Sequence, residues 1–180
     1  MAFKKDDIII IEPKEMFVGN IDAPVTLMEF GEYESEECAK VNEVVKQLLA
    51  EYEGKIKLVI RYMPFHGNSK LAAVMLEEAR DQGKFEAALD ILFEKQPEWA
   101  DHARPRPELL PEFLSAVGVD KAKLKSSELL SKHSWKVDLD QSDGAKLGVR
   151  LTPTFFVNGK MLHEIGYAPI KQAIEDALRK

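Results

Sequence analysis

The chain has 180 residues, 45% apolar and 31% charged, which against about 100–200 residues per domain describes one compact domain, or one domain with an insertion; repeat arrays, collagen and disordered tails are excluded. Its 25 basic and 31 acidic side chains leave a net charge of −6, the wrong sign for holding phosphates, so nucleic acid is not an expected partner. No apolar run approaches the roughly 20 residues of a membrane-crossing helix, so no membrane partner is expected, and the single cysteine, Cys38, excludes an intramolecular disulfide and a cysteine-based metal cluster.

In chain order, residues 1–7 carry no apolar core and no small-residue cleavage site, so the expectation is a cytoplasmic chain or one already trimmed of a leader. Ile8 to Ile11, closed by Pro13, reads as a short β-branched strand. In Val25-Thr-Leu-Met-Glu-Phe30, Val25 and Leu27 share one face and Met28 and Phe30 the other. A strand apolar on both faces belongs to a sheet covered on both sides. Glu29, on the face of Val25 and Leu27, is the odd residue. Apolar side chains then recur with helical period from Cys38 through Val41, Val45 and Leu48 to Tyr52, with Ser35 placed to cap the helix and Gly54 to stop it. Lys55–Met63 is a third strand, closed by Pro64. Strand, helix, strand implies two parallel strands and a right-handed crossover.

From Asn68 to Leu147 no strand is convincing. Ser69–Gln82 and Lys84–Lys95 read as helices, followed by a loop over Pro97–Pro107, a helix near Pro111–Val117, another from Lys121 and a longer one from about Ser131 to Gly148. Phe85, Phe93, Trp99, Phe113 and Trp135 in this block are expected in the core. Strands resume at 154–157 and 160–165 around Asn158-Gly159, a strong hairpin signal, and a last helix runs from about Pro169 to Leu178. The order describes an α/β fold, a mixed sheet flanked by helices, with a helical insertion between its βαβ half and its hairpin half.

Two segments give this arrangement a resemblance: Glu29-Phe-Gly-Glu-Tyr-Glu-Ser-Glu-Glu-Cys38 and Gly148-Val-Arg-Leu-Thr-Pro-Thr-Phe-Phe-Val-Asn-Gly159. The first resembles the strand end, short loop and Cys-x-x-Cys helix start of the DsbA family of thioredoxin-fold proteins, and the second its cis-proline loop and hairpin. Asp22-Ala-Pro-Val25 and Phe65-His66-Gly-Asn68 also sit where that family has similar segments, so the resemblance covers nearly the whole chain from residue 20. It implies a thioredoxin-like domain from residues 1–66 and 148–180 and an inserted helical subdomain from 67–147. It further implies thiol-disulfide exchange on protein or peptide substrates, mostly in exported proteins, with no cofactor. One departure governs the chemistry. The position matching the family's attacking cysteine is Ser35, so the motif reads Ser35-Glu36-Glu37-Cys38.

A dithiol works because a thiolate at a helix N-terminus attacks a disulfide and a second thiol resolves the mixed disulfide. Ser35 cannot take the first step without an adjacent base, and no histidine lies in the local motif. Cys38 heads the apolar stripe of its helix and reads from the residues alone as a buried, inert residue, while the resemblance places it at the resolving position. Glu32, Glu34, Glu36 and Glu37 crowd the same segment; they suit the positive end of a helix, disfavour a thiolate and repel acidic peptides. For Glu29 the resemblance implies an acid beneath the cysteine pair, active in proton transfer; the residues alone equally allow escape to solvent at the strand end or pairing with Arg61. Thr152-Pro153 resembles the cis-proline loop, which implies a surface for extended substrates. The four histidines are scattered, no pair has the i, i+4 spacing of a helical metal site, and no metal is expected; His66, at the end of the third strand, is the one to watch.

Three functions compete on these residues. The first is a DsbA-like oxidoreductase whose attacking cysteine is replaced by Ser35, by design or by natural loss. The second is a redox-inactive peptide-binding module or chaperone. The third is a glutathione-binding enzyme similar to kappa-class glutathione transferases, with Ser35 donating to a glutathione thiolate; the acidic loop opposes the anionic ligand this requires.

Overall fold

A strand apolar on both faces has to be covered on both, and the computed structural model, which describes residues 16–180, places such a strand at the centre of its sheet. Strands β1 (Met16–Gly19), β2 (Val25–Gly31), β3 (Ile56–Tyr62), β4 (Thr154–Val157) and β5 (Lys160–Met161) lie in the order β1-β3-β2-β4-β5. β2 and β3 are parallel, joined by helix α1 (Glu36–Glu51), while β1, β4 and β5 each run antiparallel to their neighbour. The strand expected at Ile8–Ile11 lies outside the described residues, and β1 is a strand that the alternation did not reveal.

In register, Leu27 pairs with Leu58 and Val157, and Met28 with Val59 and Phe156. One face of the sheet therefore carries Val25, Leu27, Leu58, Ile60 and Phe155 into a core shared with Val41, Val45 and Leu48 of α1 and with Ile170 and Ile174 of α7 (Tyr167–Leu178). The other face presents Met28, Phe30, Val59 and Phe156 to Met63, Leu147 and Val149.

Between β3 and β4 the chain forms α2 (Ser69–Asp81), α3 (Phe85–Glu94), α4 (Gln96–Trp99), α5 (Leu110–Ala116) and α6 (Ser126–Leu147). Side chains of this block, among them Leu76, Leu92, Trp99 and Val137, are continuous with the first core. Five expectations need correction, the first being that the helix expected from about Ser131 begins at Ser126. The loop expected over 97–107 begins with α4, because Pro97 sits in a first turn, where its missing N–H costs nothing. The helix expected from Lys121 is a single 3₁₀ turn, Lys121–Lys123, capped by the Asp120 side chain on Ala122 N at 3.0 Å. The strand expected over 160–165 stops at Met161, as the chain leaves the sheet edge to start α7 at Tyr167. Trp135 is 50% exposed. The buried stripe of α6 runs through Leu129, His133, Val137, Asp140, Gly144 and Leu147, and Trp135 lies off it. Gly148 ends α6 in the left-handed conformation, at φ 84°. The hairpin turns on Asn158 and Gly159, both at positive φ, as a tight two-residue connection requires.

Candidate functional site

The C-terminal end of β2 and the N-terminal end of α1 meet at Ser35. Its backbone is extended and its hydroxyl accepts a hydrogen bond from Cys38 N at 3.2 Å, so the side chain at the first motif position satisfies one of the helix's free N–H groups. Gln96 of α4 locks the loop from behind, donating to Tyr33 O at 2.8 Å and to Ser35 O at 2.9 Å. Glu36 and Glu37 are exposed in the first turn of α1, where the helix dipole favours carboxylates.

Glu32 and Glu34 correct the expectation of an acidic crowd at the helix start. Both are buried. Glu32 accepts from Phe65 N and His66 N, each at 2.9 Å, lies 2.7 Å from His66 Nδ1, and accepts from the Thr152 hydroxyl at 3.1 Å. Glu34 accepts from Asn68 N at 2.8 Å and from the Ser69 hydroxyl at 2.9 Å. These carboxylates satisfy the backbone leading into α2, and Glu32 ties it to the loop before β4. Nothing local in the sequence distinguishes them from Glu36 and Glu37, because their partners lie in distant segments. His66 stays half exposed, its ring 5.4 Å from that of His102.

Cys38 is fully buried. Burial first, then the charge of Glu29, push its thiol up to about 12, against hydrogen bonding from the Glu32 backbone and the Ser35 and Thr152 side chains. The structure thus brings Ser35, Cys38, Glu32 and Thr152 to one place. The Thr152-Pro153 bond is cis.

Glu29 lies beneath. Burial raises its carboxyl to about 7, and no hydrogen bond or ion pair reaches it from the described residues. It does not pair with Arg61. In the parallel register Arg61 stands opposite Phe30, on the other face, and there it bonds Asp140 at 2.5 Å and Asp143 at 2.6 Å. A Cβ at Gly31 would sit 3.2 Å from Glu29 Oε1 and 3.8 Å from Cys38 Sγ, so the absent side chain leaves acid and thiol facing one small space.

Beside the site a groove of about 350 Å³ runs between Val41 and Val44 of α1 and the segment Leu151–Pro153, with Ile165 at its end and the Glu37–Lys40 ion pair on its rim. Leu151 is 61% exposed. Elsewhere, Glu78 and Asp81 of α2 and His133 of α6 bring three metal-ligand types together, a cluster spread over two helices that spacing along the chain could not reveal. The Lys132 ammonium stands between its carboxylates, 2.8 Å from Glu78 and 3.0 Å from Asp81.

Comparison with known proteins fits this geometry. Residues 12–176 match a thioredoxin family model. The chain is 31% identical over 179 residues to disulfide bond formation protein D of Bacillus subtilis, covering 90% of this chain and 76% of that protein. It is 30% identical over 166 residues to the Na(+)/H(+) antiporter NhaA of Herminiimonas arsenicoxydans, where it spans only 25% of the relative's length. The crystal structure of oxidised BdbD from Bacillus subtilis superposes with a TM-score of 0.83 at 28% identity, covering 92% of this chain and 94% of that one. The chain belongs to the thioredoxin family, within its DsbA-like group of thiol-disulfide oxidoreductases.

Proposed function

We propose that this chain is a DsbA-like scaffold that holds extended segments of protein clients in the groove beside Thr152-Pro153 and, with Ser35 in place of the attacking cysteine, carries out no dithiol turnover. The observation that carries the reading is the state of the two motif residues. The Ser35 hydroxyl is engaged in capping α1, and no histidine or carboxylate among the described residues hydrogen-bonds it, so it lacks the base a serine nucleophile needs. Cys38 is fully buried with its thiol pushed up to about 12, so thiolate is scarce near neutral pH. The groove, by contrast, is independent of both: its apolar floor and exposed Leu151 suit an apolar side chain of an extended peptide.

The test is insulin-disulfide reduction by the parent chain and by Ser35→Cys, side by side, with a dithiol as electron donor. A cysteine at position 35 would place its sulfur at the amino end of α1, where N–H groups and dipole favour a thiolate. The expected result is turnover by Ser35→Cys and none by the parent; turnover by the parent would overturn the reading. A titration of the parent with an extended apolar peptide is expected to saturate.

A further inference from the structure

His66 and His102 come from segments far apart in the chain, one leading into α2 and one following α4, yet their rings meet. The centroids lie 5.4 Å apart, with the planes tilted by 33°. Two imidazoles that share one tetrahedral ion, each nitrogen about 2.0–2.1 Å from it, hold their ring centres about 5 Å apart. The pair therefore already stands at the separation a shared ion sets. His66 is also prepared electronically. The buried Glu32 carboxylate takes the N–H groups of Phe65 and His66 on one oxygen; the other accepts from the Thr152 hydroxyl at 3.1 Å and faces His66 Nδ1 at 2.7 Å. A carboxylate used wholly as an acceptor makes Nδ1 the protonated nitrogen and leaves the lone pair on Nε2. A carboxylate behind an imidazole is the arrangement that fixes the tautomer of a metal-binding histidine and raises its basicity.

The surroundings of His102 suit a cation. A cavity of about 240 Å³ lies against it, with Glu34, Glu36 and Asp101 in its wall, and carboxylates grouped in this way draw positive charge. Asp101 also fixes the backbone beside His102, accepting from Ala103 N at 2.9 Å and Arg104 N at 2.7 Å. The His66 side chain is 42% exposed and His102 is exposed, so an ion reaches both from solvent. The cluster of Glu78, Asp81 and His133 differs in this respect, since Lys132 already supplies its cation.

We propose that His66 and His102 form a binding site for Zn²⁺, with Glu32 as the positioning residue that presents Nε2 of His66 and with water on the remaining coordination positions. Imidazole nitrogen selects a transition ion of this kind over Mg²⁺ or Ca²⁺, which take oxygen ligands. The bound ion ties the segment before α2 to the loop after α4, whose first residue, Gln96, holds the Ser35 loop.

The experiment is a calorimetric Zn²⁺ titration of the untagged, chelator-stripped chain and of His66→Gln, His102→Gln, Glu32→Gln and His133→Gln, with imidazole ¹⁵N NMR of the parent. The expected result is one Zn²⁺ per chain, a shift at His66 Nε2 with Nδ1 still protonated, and affinity at least tenfold weaker in His66→Gln and His102→Gln. Glu32→Gln is expected to bind about 10–100-fold more weakly, and His133→Gln to bind as the parent does. Absence of saturable binding by the parent overturns the proposal, as does unchanged affinity in either His66→Gln or His102→Gln. Loss of binding in His133→Gln also overturns it, since that places the ion between α2 and α6. His102 is exposed, so its variant decides the matter even if Glu32→Gln fails to fold. The insulin assay and peptide titration are run without metal, so their outcome leaves this site untouched.

Discussion

Glu29 holds the least comfortable charge of the site, and the discomfort has a sign. Its pKa is raised by burial from 4.5 to about 7, so the folded state prefers the neutral acid. The stability this confers is fully present below pH 4.5 and is lost as pH rises through 7. Between those limits the parent should lose about 3 kcal/mol relative to Glu29→Gln, which cannot ionise. Urea unfolding of both proteins at pH 4.5 and 8 measures the difference; a gap that does not change with pH would mean the carboxylate is fully hydrated. At this same scale the sequence was partly legible. Ser35 as a cap and Cys38 at the head of a buried stripe follow from local rules of helix termini and period. Glu32 and Glu34 were not legible, since their partners lie at Phe65, His66, Asn68, Ser69 and Thr152. A carboxylate whose acceptors are filled from 33 to 120 positions away looks, in sequence, like any solvated acid.

Among the elements, those with a long, clean period were read well, as α1, α2, α3 and the β2–α1–β3 unit illustrate, because burial of one stripe or both faces leaves a repeating mark. Short elements leave a weaker mark. The 3₁₀ turn at 121–123 and the two-residue β5 owe their form to a single cap or a departing chain, and neither leaves a period. Helix α6 began before Ser131 because three polar residues precede Leu129, the first buried side chain of its stripe. Its Gly144 has a packing reason. A Cβ there would lie 2.9 Å from Met63 Sδ and 3.0 Å from the Phe30 ring. Met63 can yield, but the fully buried Phe30 has nowhere to go. Gly144→Ala gains helix propensity of about 1 kcal/mol and meets overpacking of about 1–3 kcal/mol. A net destabilisation of about 1 kcal/mol or more is expected in denaturant unfolding, and a stabilised variant would show that the ring relaxes freely.

Across the whole molecule, helix α6 is tied to the sheet by buried charge. Asp140 accepts from Arg61 Nε at 2.5 Å, from Lys136 Nζ at 2.6 Å and from Tyr62 N at 3.0 Å, while Asp143 takes the other side of the guanidinium. Arg61, Lys136 and Asp140 are each nearly or fully excluded from solvent. Removing the carboxylate that the two cations share should cost about 3–5 kcal/mol, because two buried cations lose a shared, hydrogen-bonded counter-charge. Asp140→Ala is the variant and equilibrium unfolding the measurement; a loss below about 1 kcal/mol would mean that water or Asp143 replaces the lost oxygen atoms. None of this was visible beforehand. The sequence allows Arg61 as a partner for Glu29, and only the parallel register, which puts Phe30 and not Glu29 opposite Arg61, sends the guanidinium to the far face. By itself the sequence determined the α/β class, the parallel βαβ unit and the hairpin at Asn158-Gly159. Each of these depends on residues within a turn, a period or a motif of one another, so local steric preference and alternating burial write them directly into the order of the residues. The tertiary structure alone decided which acids are buried, which cation pairs with which carboxylate, and that the rings of His66 and His102 meet. Those outcomes turn on which distant segments arrive at the same place, and desolvation and pairing have no value until they do.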